Sequence, residues 1–384
     1  MRVAVPKETS SGSSEQRVSI VPDSVKRLAA KKIEVSVESG AGSASHASDE
    51  DYKSFGATIE PSRAALYAAA DVVVQIRIPT PEQIAELKEG SVFISLLLPL
   101  VNHDLVKKLA ERKVTAIAVD MIPRTTVAQM MDVLSSQATV AGYQAVLRAA
   151  SLLPKFFPML MTAAGTIAPA KVLILGAGVA GLQAIGTARR LGGVVEAFDV
   201  RKVVKEQVES LGAKFVEVES TEDAAGAGGY AKEASEEYKK KQAEAIARHV
   251  AKSDVCIATA LIPGRRAPIL ITEEMVKSMR PGSVIVDLAA EQQGNCECTE
   301  PGKTVVKHGV TIVGETNFPS TMPVSASNMY SRNMEKLLLH LCKDGALKID
   351  LAEEITGGCV ITQGGEVVHA KVKEALAAGK GGAA

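Results

Sequence analysis

The chain has 384 residues, 46% hydrophobic and 23% charged, so it carries enough apolar surface to fold and exceeds one ordinary core. Lys plus Arg (44) balance Asp plus Glu (44), and aromatics are 3% with no Trp, which excludes a basic nucleic-acid or anionic-membrane binder and a base-stacking platform. The five cysteines, Cys256, Cys296, Cys298, Cys342 and Cys359, are too few and too unevenly placed for a disulfide framework or a zinc site. No metal is expected, and a reducing compartment fits.

The opening stretch, Met1 to Glu8, lacks a secretory pattern and reads as a first buried strand. Strands follow at Ile33 to Val37, Asp71 to Ile76, Val92 to Leu97 and Val114 to Ala118. Helical stretches separate them at Val25 to Lys31, Arg63 to Ala69, Glu82 to Leu87 and His103 to Arg112. A longer helical pattern runs from about Val127 to Ser151. Pro154, Pro158 and the Gly165 to Pro169 break then suggest an interdomain connection. A second series begins at Lys171, with strands Val172 to Leu175, Val194 to Phe198, Ala213 to Val216, Val255 to Ala258, Val284 to Asp287 and Val310 to Val313. After a helix at Val324 to Cys342, a hairpin is expected from Cys359 to Ile361 and Glu366 to Val368 across Gln363-Gly364-Gly365. The tail Gly379-Lys380-Gly381-Gly382 reads as disordered.

Alternating strands and helices specify an α/β chain of two Rossmann-like doubly wound domains with a cleft between them. The C-terminal residues are too few for a third domain, so the expected division is 1–136 plus 321–384, and 137–320. The longest uncharged run, Val172 to Ala188, falls short of the about 20 apolar residues of a membrane span and carries four glycines, so a soluble chain is expected.

Three of those glycines form Gly176-Ala177-Gly178-Val179-Ala180-Gly181, directly after an apolar strand and opening a helical stretch. The first permits a tight turn, the second lets backbone approach a pyrophosphate, and the third allows close helix-to-strand packing. The next strand ends at Asp199, where an acidic side chain would receive the adenosine ribose hydroxyls, with Val200 and Arg201 following. An acid there favours NAD(H) over NADP(H), a preference tempered by Arg201 and Lys202. The alternative for Asp199 is a helix cap. Thr259, Ala260 and Leu261 follow another strand and either line the cofactor or form an ordinary loop. Asp287 could equally be a satisfied strand-end acid.

The connection spanning residues 217–254 is longer than one crossover helix requires. It contains Gly226 to Gly229 and Tyr230, and reads as a loop able to fold over a cleft or as an insertion without a role. Oxidising an alcohol or amine needs a base for the proton, yet no histidine stands at a strand end in a recognisable motif. Hydride transfer between two nicotinamides needs no such base, only alignment of the rings at about 3 to 3.5 Å. Gln129, Asp132 and Ser135 recur every third residue, so on one helix they share an arc and suit a carboxamide, with Arg124 available to pair with Asp132. A polar, capped helix start is the alternative.

The segments Met121-Ile122-Pro123-Arg124, Met131 to Gln137 with Gln129, Ala141-Gly142-Tyr143, Pro158 to Thr166, Gly229 to Glu233, Thr259 to Gly264 and Ser325-Ala326-Ser327 resemble the NAD(H)-binding component, domain I, of proton-translocating transhydrogenase. The likeness covers nearly the whole chain. It implies NADH bound with Arg124, Gln129, Asp132 and Ser135 at the nicotinamide and Asp199 at the ribose, and Tyr230 on a closing loop. It further implies a homodimer, a partner NADP(H)-binding domain on a beta subunit, and membrane-spanning subunits that move protons and hold the chain at the cytoplasmic face of the inner membrane.

The runner-up is the related alanine dehydrogenase, which shares the Glu15-Gln16-Arg17-Val18 pattern. Its catalytic His is replaced by the stretch Ser95-Leu96-Leu97-Leu98-Pro99-Leu100 and its catalytic Lys by Arg77, which disfavours amino-acid oxidation. A non-catalytic NAD-responsive binding protein is a third reading.

Overall fold

The computed structural model describes residues 1–8, 15–218, 235–261 and 266–378. Tyr230, the 226–229 glycines, Ile262 to Gly264 and the 379–382 tail lie outside them.

The chain opens with β1 (Arg2–Val5), α1 (Pro22–Ala29), β2 (Glu34–Glu38), α2 (Asp49–Ser54), β3 (Thr58–Glu60), α3 (Arg63–Ala69), β4 (Val72–Val74), α4 (Pro81–Glu86), β5 (Val92–Ser95), α5 (His103–Glu111) and β6 (Thr115–Ala118). A long helix, α6 (Val133–Leu152), leads to β7 (Leu160–Thr162) and β8 (Gly165–Ile167). The second series is β9 (Lys171–Leu175), α7 (Val179–Arg190), β10 (Val194–Phe198), α8 (Lys205–Ser210), β11 (Lys214–Phe215), α9 (Glu236–Val250), β12 (Val255–Ala258), α10 (Glu273–Ser278), β13 (Val284–Asp287), β14 (Thr304–Lys307) and β15 (Val310–Val313). The chain closes with α11 (Pro323–Leu341), β16 (Cys342–Lys343), β17 (Ala346–Leu347), α12 (Glu354–Cys359), β18 (Val360–Gln363), β19 (Glu366–Val367) and α13 (Ala370–Ala377).

Two compact units result, Met1–Gln137 with Ser320–Ala384, and Ala138–Pro319. The first unit's sheet runs β19-β18-β6-β5-β4-β1-β2-β3, with β1 to β6 parallel and β18 and β19 antiparallel at one edge. The second runs β11-β10-β9-β12-β13-β15-β14, parallel except for β14. Each therefore reverses direction beside its first strand, the arrangement of a doubly wound dinucleotide-binding sheet.

Burial on both faces explains the near-continuous apolar strands. In the second unit Val172 and Ile174 pack on one face with Ala145, Val146 and Ala149 of α6 and Ala184, Ile185 and Ala188 of α7. Leu173 and Leu175 pack on the other with Ile246, Val250 and Val276.

Three sequence expectations need correction. The second sheet has seven strands rather than six, because Thr304 to Lys307 pairs antiparallel with β15. The stretch expected to connect two domains lies inside the second unit, where Leu160–Thr162 and Gly165–Ile167 close into a two-stranded hairpin. The helix expected from Val127 to Ser151 is interrupted: Ala128–Met131 forms a 3-10 turn, Asp132 is extended (φ −73°, ψ 91°), and α6 starts at Val133.

Candidate cofactor site

The phosphate-type turn lies between β9 and α7. Gly176 takes φ +100°, a left-handed value that a side chain rarely adopts, and a Cβ there would stand 2.5 Å from the Thr259 hydroxyl. A Cβ at Gly181 would meet the Gly176 carbonyl oxygen at 1.8 Å, so the helix can approach the turn only as glycine. A Cβ at Gly178 would meet nothing within 4 Å. The three glycines thus differ in kind: one bends the chain, one leaves its surroundings open, and one permits close packing.

Gly178 caps α7, and its carbonyl accepts the Leu182 N–H at 2.8 Å. The first-turn N–H groups of Val179, Ala180 and Gly181 have no partner within the helix and face its open end, which attracts an anion. Behind them Gly142 of α6 packs so tightly that a Cβ would lie 2.1 Å from the Ala180 carbonyl oxygen.

Asp199 follows β10 and is buried beside this turn. Its Oδ2 accepts the Ala177 N–H at 2.8 Å, which ties the acid to the glycine turn. Its carboxylate also receives Arg201 through the backbone N–H (2.9 Å), Nε (2.8 Å) and Nη2 (2.8 Å). Asp199 is therefore not a cap for the 3-10 turn at Lys202–Val204, whose N-cap is Arg201. Val200 is partly buried against the core face of β9 that holds Leu173 and Leu175.

Thr259 and Ala260, just past β12, sit against the same turn. Thr259 donates its N–H to Leu175 O (2.8 Å) and its hydroxyl to Gly176 O (3.0 Å). The Ala260 N–H and C=O are both held by the side chain of Asn295. Leu261 is exposed. Asn295 escapes sequence reasoning, because it acts through the backbone of a distant segment. Asp287 proves to be a satisfied strand-end acid: fully buried, it accepts the N–H groups of Ala289, Asn295 and Cys296 and the Thr299 hydroxyl.

In the first unit, Ala128, Met131 and Val133 anchor the 3-10 turn and the start of α6 in the core formed with Tyr330, Met334, Leu337 and Leu338 of α11. Asn333 adds a hydrogen bond to Met130 O at 2.9 Å. Between these anchors Arg124 and Gln129 are exposed, while Asp132 and Ser135 are half-buried. Asp132 and Ser135 do come together: Asp132 Oδ1 accepts the Ser135 N–H at 2.9 Å, and Oδ2 the Ser135 hydroxyl at 2.6 Å. This is a helix cap, so the shared arc on one helix is replaced by a turn followed by a capped helix start. The Gln129 side chain makes no hydrogen bond among the described residues.

Residues 4–141 match the N-terminal domain and residues 145–370 the C-terminal domain of the family described as alanine dehydrogenase/PNT. The first portion of the NAD(P) transhydrogenase alpha subunit of Rhodospirillum rubrum, a separate polypeptide, is 50% identical over 378 residues, covering 96% of this chain and 98% of its own. A solved transhydrogenase structure from Sinorhizobium meliloti superposes with a TM-score of 0.84 at 42% identity, covering 96% of this chain and 99% of its own. The alanine dehydrogenase of Bacillus subtilis is 30% identical over 358 residues, covering 91% and 87%. On this agreement along both halves, the chain belongs to the alanine dehydrogenase/PNT family.

Proposed function

We propose that this chain is the NAD(H)-binding component of a transhydrogenase that passes hydride between NADH and NADP+. The observation that carries the reading is the Gly176–Gly181 turn tied to Asp199 through the Ala177 N–H. A dinucleotide fits these residues: the surroundings of Gly178 are open, three first-turn N–H groups face outward, and an acid stands beside the turn. Gly176, Gly178, Val179, Ala180 and Gly181 would hold the pyrophosphate. Asp199 would receive the adenosine ribose, with Val200 and Arg201 flanking it and Thr259, Ala260 and Leu261 lining the next strand end.

Arg124, Gln129, Asp132 and Ser135 are proposed for the nicotinamide. Gln129 offers a donor and an acceptor to a carboxamide, and the Asp132–Ser135 pair fixes the helix start beside it. When bound, NADH supplies the hydride; the residues need only orient the ring, because no proton changes hands. Tyr230 is proposed to close over the nucleotide.

The partner in this reading is an NADP(H)-binding domain on a beta subunit, with a homodimer of this chain and membrane-spanning subunits that translocate protons. Attachment to the cytoplasmic side of the inner membrane would come through those subunits. No helix among the described residues is long and apolar enough to cross a membrane.

Two features weigh against alanine dehydrogenation. Where that activity places a His, this chain has Leu98, exposed and at φ +47°. Nearby His103 is committed to the Leu100 carbonyl at 3.0 Å. The deciding experiment mixes the protein with a transhydrogenase NADP(H) domain and follows hydride transfer from NADH to an NADP+ analogue. Transfer without alanine or pyruvate turnover is expected, and robust reductive amination of pyruvate would overturn the reading.

A further inference from the structure

The Thr259–Ala260 turn is held from behind by groups that make no contact with the glycine turn themselves. Asn295 is fully buried. Its Oδ1 accepts the Ala260 N–H at 3.0 Å, while Nδ2 donates to Ala260 O at 2.9 Å and to Pro268 O at 2.8 Å. A carboxamide is suited to this pattern because it accepts and donates at once. Asn295 is aimed in turn by Asp287, whose Oδ2 accepts the Asn295 N–H at 2.8 Å and also holds Cys296 N (3.0 Å) and Thr299 Oγ1 (2.7 Å). The chain passes this carboxylate only because residue 294 is glycine: a Cβ there would lie 2.5 Å from Asp287 Oδ2, at φ +80°.

On the other side, Thr259 donates its hydroxyl to Gly176 O. Hydrogen bonds and one peptide link therefore run without a gap from the carboxylate ending β13, across β12, to the first glycine after β9.

We propose that Asn295, oriented by Asp287, is a positioning residue for the dinucleotide: by clamping both backbone polar groups of Ala260 it fixes Thr259, and through Thr259 the position of Gly176. The proposal rests on the dinucleotide reading above and adds to it a residue that need not touch the cofactor. A residue serving only the stability of the 289–299 loop would leave the glycine turn unaffected when altered.

Two variants separate these roles. Asn295→Ala removes all three side-chain hydrogen bonds. Asn295→Asp keeps the shape, but as a carboxylate it cannot donate to the Ala260 and Pro268 carbonyls and stands beside the Asp287 charge. Its other titratable neighbour, the Cys296 thiol, is pushed up to about 12 by burial and stays neutral. Protonation would restore one donated bond, so acid should rescue Asn295→Asp but not Asn295→Ala.

Amide hydrogen exchange of the ligand-free proteins is expected to quicken about tenfold at 176–181 in both variants at pH 8. The Kd for NADH is expected to rise about tenfold in both at pH 8, and to recover toward the parent value only in Asn295→Asp at pH 5.5. Unchanged exchange at 176–181 in a variant that remains folded would overturn the relay. Faster exchange with an unchanged Kd would overturn its role in cofactor positioning. A parent protein that fails to bind NADH would remove the dinucleotide reading itself, a result distinct from either.

Discussion

A single atom decides the difference between neighbouring glycines. Adding a methyl at Gly181 puts carbon 1.8 Å from a carbonyl oxygen that cannot move without moving β9. Gly181→Ala should therefore cost more than about 2 kcal/mol and lower the Tm by several degrees in a thermal melt. Asp199 carries a different prediction. Its charge is matched by Arg201, so Asp199→Asn leaves a guanidinium beside the turn with no carboxylate. Titration should show NADH binding weakened about tenfold and the NADPH-to-NADH affinity ratio raised; an unchanged ratio would remove Asp199 from the ribose. Gln129 has no side-chain commitment among the described residues, so Gln129→Leu should leave stability intact. In the coupled assay it should slow hydride transfer by up to about a hundredfold through misalignment.

At the level of elements, α6 shows where sequence reading succeeds and where it stops. Apolar periodicity runs through Ala128, Met131, Val133 and onward, which reads as one helix. The structure interrupts it because Asp132 spends its carboxylate on the Ser135 N–H and hydroxyl, a local bond that competes with continuing the helix. The Asp-x-x-Ser signal is present, but periodicity outweighs it. Asp132→Ala should cost about 1 kcal/mol of stability by loss of the cap, measurable by urea unfolding. Further along, Gly142 of α6 touches the Ala180 carbonyl, and Gly142→Ala should weaken NADH binding by pushing α6 off the first turn of α7. The strands are legible because burial on both faces leaves nearly uninterrupted β-branched runs; β3 and β14, at or next to edges and partly exposed, lack that signature. Asn295 leaves no trace in the sequence, since its partners lie on segments brought together only by the sheet.

For the molecule as a whole, the two units share a strand order but use the reversal point differently. In the second it adjoins the glycine turn. In the first, Glu8 follows β1 and accepts the backbone N–H groups of Ile76 (2.6 Å) and Arg77 (3.2 Å) past β4. Burial raises the Glu8 carboxyl from 4.5 to about 8, with nearby Glu15 adding to the rise against the lowering effect of the two N–H groups. The folded protein thus holds a proton that the unfolded chain releases near pH 4.5. The stabilisation from this group is complete below that pH and is lost as pH rises through about 8. Denaturation midpoints should fall across this window, and Glu8→Gln should flatten that part of the profile.

The first unit's sheet also has a consequence for biosynthesis. Its β18 and β19 join β6 from the far end of the chain, so a ribosome must deliver almost the entire polypeptide before that layer is whole. The second unit is continuous and has all its strands by Val313, so it can mature first on the emerging nascent chain. The glycine turn would then be assembled while the opening segment still waits for its last two strands.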